Sequence, residues 1–155
     1  MNKFILNKTP YIALFILGTL LTAAMCSFTK QHAEYDGLVV ITHKNNKTLT
    51  LTKKEFEKII FGEKQSWKQG GVVYISLLKS SNTVGAKVVS TVFKMTSNEF
   101  NKYWLGLSFE GKCKAPNFSS SEAEVINYVS STPGAVAIVS TDADISKVSK
   151  ITISK

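Results

Sequence analysis

The chain has 155 residues and a formal net charge of +8, with 19 basic residues that are all lysine. This length allows one domain with a hydrophobic core and leaves little room for a second domain. Bidentate contacts to bases and phosphates favour arginine, and the lysines are scattered, so the sequence argues against a nucleic-acid partner.

Residues 1–26 have the pattern of an export signal. Lys3 and Lys8 give a basic start, and Tyr11–Leu21 is an apolar run that small residues close. The run is shorter than the roughly 20 residues that span a bilayer, so we predict a cleaved signal and a periplasmic or secreted domain. Two alternatives stay open, an uncleaved anchor oriented by the two lysines and a lipoprotein modified at Cys26. In each case the membrane is reached only through this segment.

A polar tether is predicted at residues 27–36, and a single folded domain at residues 37–155. Two helix starts carry the capping-box spacing, at Thr52 and at Thr96, each with glutamate three residues later. In chain order the pattern predicts a strand at Leu38–Ile41, a helix after Thr52, a strand at Val72–Leu77, helices after Thr83, Thr96 and Ser121, a strand at Ala135–Val139, and an edge strand or hairpin arm at Val148–Ile153. Strands separated by helices predict an α/β fold with a mostly parallel sheet flanked by helices.

One segment has a physical mechanism for binding an anion. Ser80, Ser81, Asn82 and Thr83 stand between a predicted strand and a predicted helix. The first N–H groups of a helix lack internal partners and carry partial positive charge, so these four residues are candidates for an anion cradle. Lys79 would add charge. The alternative is ordinary helix capping by the same side chains.

The carboxyl ends of strands in open α/β sheets commonly hold ligands. Thr42 and His43 follow the first predicted strand and are therefore lesser candidates for anion binding. We find no catalytic constellation and no metal-ligand spacing, because both histidines lie far from Cys113 and Asp142-Ala143-Asp144 lacks further calcium ligands. The sequence therefore predicts a protein that is not an enzyme and uses no cofactor or metal.

Four segments between Gly37 and Ser140 share a recognisable pattern. They are the apolar strand before a polar loop, Leu51–Trp67 with its Phe-Gly pair and tryptophan, the Ser-Asn-Thr helix start, and Ser121–Ala137 with its Pro-Gly-Ala strand entry. Together they resemble the phosphate-binding, periplasmic solute-binding proteins of ABC transporters, in particular their short single-lobe relatives.

This resemblance implies one lobe of the type 2 periplasmic-binding-protein fold. Full members clamp phosphate between two lobes, and one lobe supplies a Ser-Gly-Thr helix start with an arginine shortly before it. Ser81 and Thr83 match this trio, but Asn82 replaces the glycine. Leu77 or Leu78 stands where the arginine is expected. Because a charge-assisted pair and a dry clamp provide most of the grip on a small dianion, the resemblance implies weak binding.

Two hypotheses about function follow. The first is an exported, non-catalytic, solute-binding-like domain that binds inorganic phosphate or a similar oxyanion weakly and is linked to an ABC phosphate uptake system. The second is a cell-envelope protein-interaction module that has lost solute binding. The second hypothesis predicts that an envelope protein copurifies and is lost on changing Trp67 or Trp104 but not Ser81, whereas the ordinary role of these aromatics is core and rim packing.

Overall fold

The structure is a computed structural model that describes residues 35–154. The predicted export signal, Cys26 and nearly all of the predicted tether lie outside these described residues. Between residues 35 and 154, no helix combines the length and apolar character needed to cross a bilayer.

The described part of the chain contains six strands and four α-helices. The strands are β1 at Leu38–Thr42, β2 at Thr50–Thr52, β3 at Tyr74–Leu78, β4 at Asn117–Ser119, β5 at Ala135–Ser140 and β6 at Ser149–Ser154. The helices are α1 at Lys53–Ile60, α2 at Thr83–Val88, α3 at Ser97–Phe109 and α4 at Glu122–Ser131. A π-helical turn at Val89–Phe93 continues α2.

The strands form one sheet in the order β2-β6-β1-β5-β3-β4. The pairs β2–β6, β3–β4 and β3–β5 are parallel, whereas β1 runs antiparallel to both of its neighbours. The predicted α/β class with a mostly parallel sheet is confirmed. The prediction of an edge strand or hairpin arm near the carboxyl terminus is wrong, because β6 lies inside the sheet between β2 and β1.

Helices cover both faces of this sheet, which explains the continuous apolar run of β1. Leu38 and Val40 belong to the core cluster that contains α1, α2 and α3. Val39 and Ile41, which alternate with them, pack in the second cluster with α4. A strand buried on both faces needs apolar residues at every position, whichever direction its neighbours run.

Local cap chemistry fixes where α1 and α3 begin. Both predicted capping boxes are present, and in α3 the Thr96 hydroxyl accepts from the Glu99 amide at 3.3 Å. We expect Thr96→Ala to lower the free energy of unfolding by about 1 kcal/mol, because it removes this acceptor. Urea denaturation measures the loss. Ser97→Ala at the next exposed position is the control, and an equal loss in both variants would contradict the assigned cap.

The capping glutamates also make stability depend on pH. The pKa of Glu55 and that of Glu99 lie below their usual 4.5, because each carboxylate accepts hydrogen bonds from the N–H and hydroxyl of its cap threonine. A pKa lowered by folding stabilises the fold above the unfolded value, and this contribution is lost as pH falls through the folded value. Glu99→Gln should therefore cost more stability at about pH 6 than at about pH 3. A deficit that is the same at both pH values would contradict this linkage.

Candidate functional site

The predicted anion site lies at the carboxyl end of β3, where the chain turns into α2. The Asn82 N–H donates to the Lys79 carbonyl at 2.9 Å and closes this turn. Gly85 in the first turn of α2 packs against it, since a Cβ atom there would lie 2.2 Å from the Lys79 oxygen. Ser80–Thr83 is thus held at the end of the sheet where α/β proteins commonly bind ligands.

The side chain of Asn82 itself occupies two of the backbone amides at the start of α2. Its side-chain oxygen accepts from the Val84 amide at 2.9 Å and from the Gly85 amide at 3.4 Å. Asn82 is therefore the N-cap of α2, which is the capping alternative considered from the sequence. Among the described residues, the amides of Ser81 and Thr83 have no intramolecular acceptor. Of the three amides from Ser81 to Thr83, only that of Asn82 therefore has an acceptor among the described residues, the Lys79 carbonyl.

A second strand end packs beside this turn. The Asn82 side-chain nitrogen Nδ2 donates to the Ser120 carbonyl at 3.2 Å, and the Lys79 ammonium donates to the Ser120 hydroxyl at 3.1 Å. Lys79 N–H also donates to the Ser119 carbonyl at 3.0 Å. The polar groups expected to face a ligand are therefore tied to the segment that follows β4.

Two carboxylates take further donors at the same end of the sheet. Glu124 accepts from the Ser120 amide at 2.8 Å. Glu122 accepts from the amide of Ser140, and from the Ser140 hydroxyl at 3.1 Å. These backbone amides could serve an anion only if a carboxylate were displaced, and the negative charges repel an incoming anion. The sequence predicts the helix after Ser121 but gives no sign of the contact between Glu122 and Ser140.

The two candidate positions for the arginine of the family pattern are occupied here by buried core leucines. Leu77 is 1% exposed and belongs to the core cluster with α1 and α3. Leu78 is 3% exposed and faces α4 on the other side of the sheet. A charged guanidinium at either position would be buried without the space or water that it needs.

Lysines supply the positive charge near the helix start. Besides Lys79, the exposed Lys87 on the second turn of α2 reaches the start of β1, since a Cβ atom on Gly37 would lie 2.8 Å from its ammonium nitrogen. Lys87 was missed in the sequence, where only its position four residues after Thr83 could have indicated a shared helix face.

Thr42 and His43 do not join this cluster. Because β1 is antiparallel to β5, the carboxyl end of β1 lies at the opposite end of the sheet from Ser80–Thr83. The buried Thr42 hydroxyl donates to the Ala135 carbonyl at 2.7 Å and accepts from Asn46 at 2.8 Å. The expectation that these two residues share an end with the helix start failed because it assumed a parallel first strand.

The two tryptophans are core residues. Trp67 is 5% exposed and donates its indole N–H to the Gly134 carbonyl at 2.9 Å. Trp104 is 3% exposed and packs edge-on against Phe93, Phe100 and Tyr103. Both rings pack in the core, so a change at either tryptophan would disturb the core as well as any partner contact.

The described residues thus form a mostly parallel α/β lobe with a hydroxyl-rich helix start at its strand ends. The family model of the PBP superfamily domain matches residues 22–154, so the chain belongs to this superfamily. No curated protein matches the sequence at a significant level.

Solved structures show the same fold. The chain is similar to PstS from Borrelia burgdorferi, with 21% identity and a TM-score of 0.59 over 77% of this chain and 47% of that one. It is also similar to an ABC-type phosphate transport receptor from Vibrio cholerae, with 16% identity and a TM-score of 0.56 over 74% of this chain and 45% of that one. The chain thus spans a little under half the length of these proteins.

Proposed function

We propose that this chain is an exported, non-catalytic, solute-binding-like domain that binds phosphate or a similar oxyanion at millimolar affinity or not at all. The observation that carries the proposal is the cap at Asn82. In this geometry, an anion at the start of α2 must compete with an intramolecular acceptor for the amides of Val84 and Gly85. Unmaking those bonds subtracts their free energy from that of binding.

The charges around the helix start support the same conclusion. Lys79 and Lys87 attract an anion, but Glu122 and Glu124 lie at the same strand ends and oppose it. Exposed ion pairs in water contribute little, and no arginine fork is available to compensate. A link to an ABC phosphate uptake system is supported by the Vibrio cholerae receptor named above, and export by the pattern of residues 1–26.

A thermal-shift panel on the full-length chain tests the proposal. Phosphate, sulfate, molybdate and small carboxylates are compared at constant ionic strength. Phosphate at 10 mM stabilises a protein by about 0.4 kcal/mol if its Kd is about 10 mM and by about 1.4 kcal/mol if its Kd is about 1 mM, so the melting temperature should rise by about 6 °C or less. Ser81→Ala should remove any shift that phosphate produces. A larger shift that survives in Ser81→Ala would contradict binding at the helix start.

A second function, a protein-interaction module of the cell envelope, is favoured by one exposed surface. Leu105 and Phe109 lie one turn apart on α3 and are 58% and 84% exposed. Large apolar side chains at such exposure are candidates for contact with a partner. This function predicts that an envelope protein copurifies with the chain and is lost from Leu105→Ser/Phe109→Ser but retained by Ser81→Ala. The reverse sensitivity would favour the oxyanion function.

A further inference from the structure

A pocket of about 50 Å³ lies at the amino end of β3, at the opposite end of that strand from the start of α2. We call it the β3 pocket. Its polar lining consists of Lys64, Gln65, Tyr74, Cys113, Lys114 and Tyr128. No carboxylate lines it. Val72, Val73 and Ala115 supply apolar walls.

Hydrogen bonds hold the walls of the β3 pocket in place. The Val73 amide donates to the Gln65 carbonyl at 2.9 Å, and the Lys64 amide donates to the Lys58 carbonyl at 2.8 Å. The Gln65 side chain donates to the Lys112 carbonyl and joins this wall to the loop that carries Cys113. A pocket formed by tied backbone segments binds a ligand without a large cost in ordering its own walls.

Two lysines and no carboxylate line the pocket, although the charge of Lys64 also acts on the Glu55 carboxylate outside it. The Lys114 ammonium lies 5.1 Å from the centre of the Tyr74 ring. Within residues 35–154, neither Lys64 nor Lys114 has a carboxylate oxygen within 4.0 Å of its nitrogen. Two cations at one concavity without a paired carboxylate favour an anionic group, and the aromatic ring steadies one of them.

We propose that the β3 pocket binds the carboxylate of a small organic acid with a short apolar group. The carboxylate would lie between Lys64 and Lys114, and the hydrocarbon would cover Val72 and Val73. A volume near 50 Å³ suits a few heavy atoms, and the half-apolar lining suits a monoanion better than a fully hydrated dianion. This site is separate from the helix start and does not depend on the function proposed there.

Cys113 provides a reporter inside the pocket, because its half-buried thiol is the lone free cysteine among the described residues. Burial raises the pKa of this thiol, so alkylation is followed at alkaline pH. The full-length Cys26→Ser chain is treated with iodoacetamide in the presence of butyrate, butanol or phosphate at constant ionic strength. At a butyrate concentration about ten times its Kd, the alkylation rate should fall about tenfold, because only the free protein reacts.

Lysine variants show whether protection of Cys113 comes from butyrate bound in the β3 pocket or from a general effect of salt on alkylation. Lys114→Gln and, independently, Lys64→Gln should abolish protection by butyrate, whereas Lys79→Gln at the opposite end of β3 should retain it. Circular dichroism confirms that each variant is folded. Equal protection in Lys114→Gln and Lys79→Gln, protection by butanol, or no protection by butyrate would overturn the proposal. Stronger protection by phosphate than by butyrate would overturn the choice of a carboxylate. The result of this alkylation experiment does not depend on whether phosphate binds at Ser81.

Discussion

Gly85→Ala should lower the free energy of unfolding by about 3 kcal/mol, at the upper end of the usual cost of overpacking. The new Cβ would lie 2.2 Å from the Lys79 oxygen and 2.9 Å from its carbonyl carbon. Both atoms belong to the backbone, so no side chain can rotate away to relieve the contact. The turn after β3 would have to move off α2, and Ser80–Thr83 would move with it.

Gly106→Ala is the matched control because both glycines lie in helices. At Gly106 no atom lies within 4 Å of an added Cβ, so alanine should stabilise α3 by up to about 1 kcal/mol through its higher helix propensity. Urea denaturation of both variants gives the two free energies. If Gly85→Ala stayed within about 0.5 kcal/mol of the natural chain, the packing of the turn against α2 would be wrong.

Asn82→Gly should raise the affinity for phosphate about tenfold, a gain of about 1.4 kcal/mol. The substitution restores the glycine of the family pattern and frees the amides of Val84 and Gly85 from the side chain that occupies them. The fold should tolerate the change, since glycine at an N-cap costs only a few tenths of a kcal/mol relative to asparagine. Calorimetric titration of phosphate into both chains measures the difference.

Asn82→Ser separates the release of the amides from any other effect of losing asparagine. Serine keeps an oxygen that caps the helix, so the amides remain occupied and the affinity should stay near that of the natural chain. Equal affinities for phosphate in Asn82→Gly and Asn82→Ser would show that the cap does not limit binding. In that case the missing arginine and the carboxylates of Glu122 and Glu124 would be the cause of weak binding.

The features predicted correctly from the sequence depend on residues close together in the chain. The caps at Thr52, Thr96 and Ser121 each accept from an amide three residues later, so a few neighbouring residues determine them. The three longer apolar strands were also located to within a residue or two. Cap chemistry and apolar runs act locally, and a sequence displays them directly.

Features that depend on distant pairing could not be read in the same way. The run of β1 has the same composition whether its neighbours are parallel or antiparallel, so its direction, and with it the position of Thr42 and His43, was not determined. β2 and β4 are three residues long, too short to show a periodic pattern. Their existence depends on partners that are distant in sequence.

The candidate site follows the same division. The N-cap role of Asn82 was considered beforehand because asparagine favours that position. The contact of Glu122 with Ser140 joins residues 18 apart, and the contact of Lys79 with Ser120 joins residues 41 apart. No local sequence pattern predicts contacts over such separations, so the roles of Glu122 and Ser120 at the helix start can be recognised only in the folded structure.

The most direct test is a calorimetric titration of phosphate into the full-length natural chain, repeated at low and high salt. A helix start capped by its own asparagine predicts a millimolar Kd, or no heat of binding, and a signal that weakens as salt screens the lysines. A micromolar Kd that persists at high salt would contradict it, because such affinity would require the Val84 and Gly85 amides that the Asn82 side chain occupies.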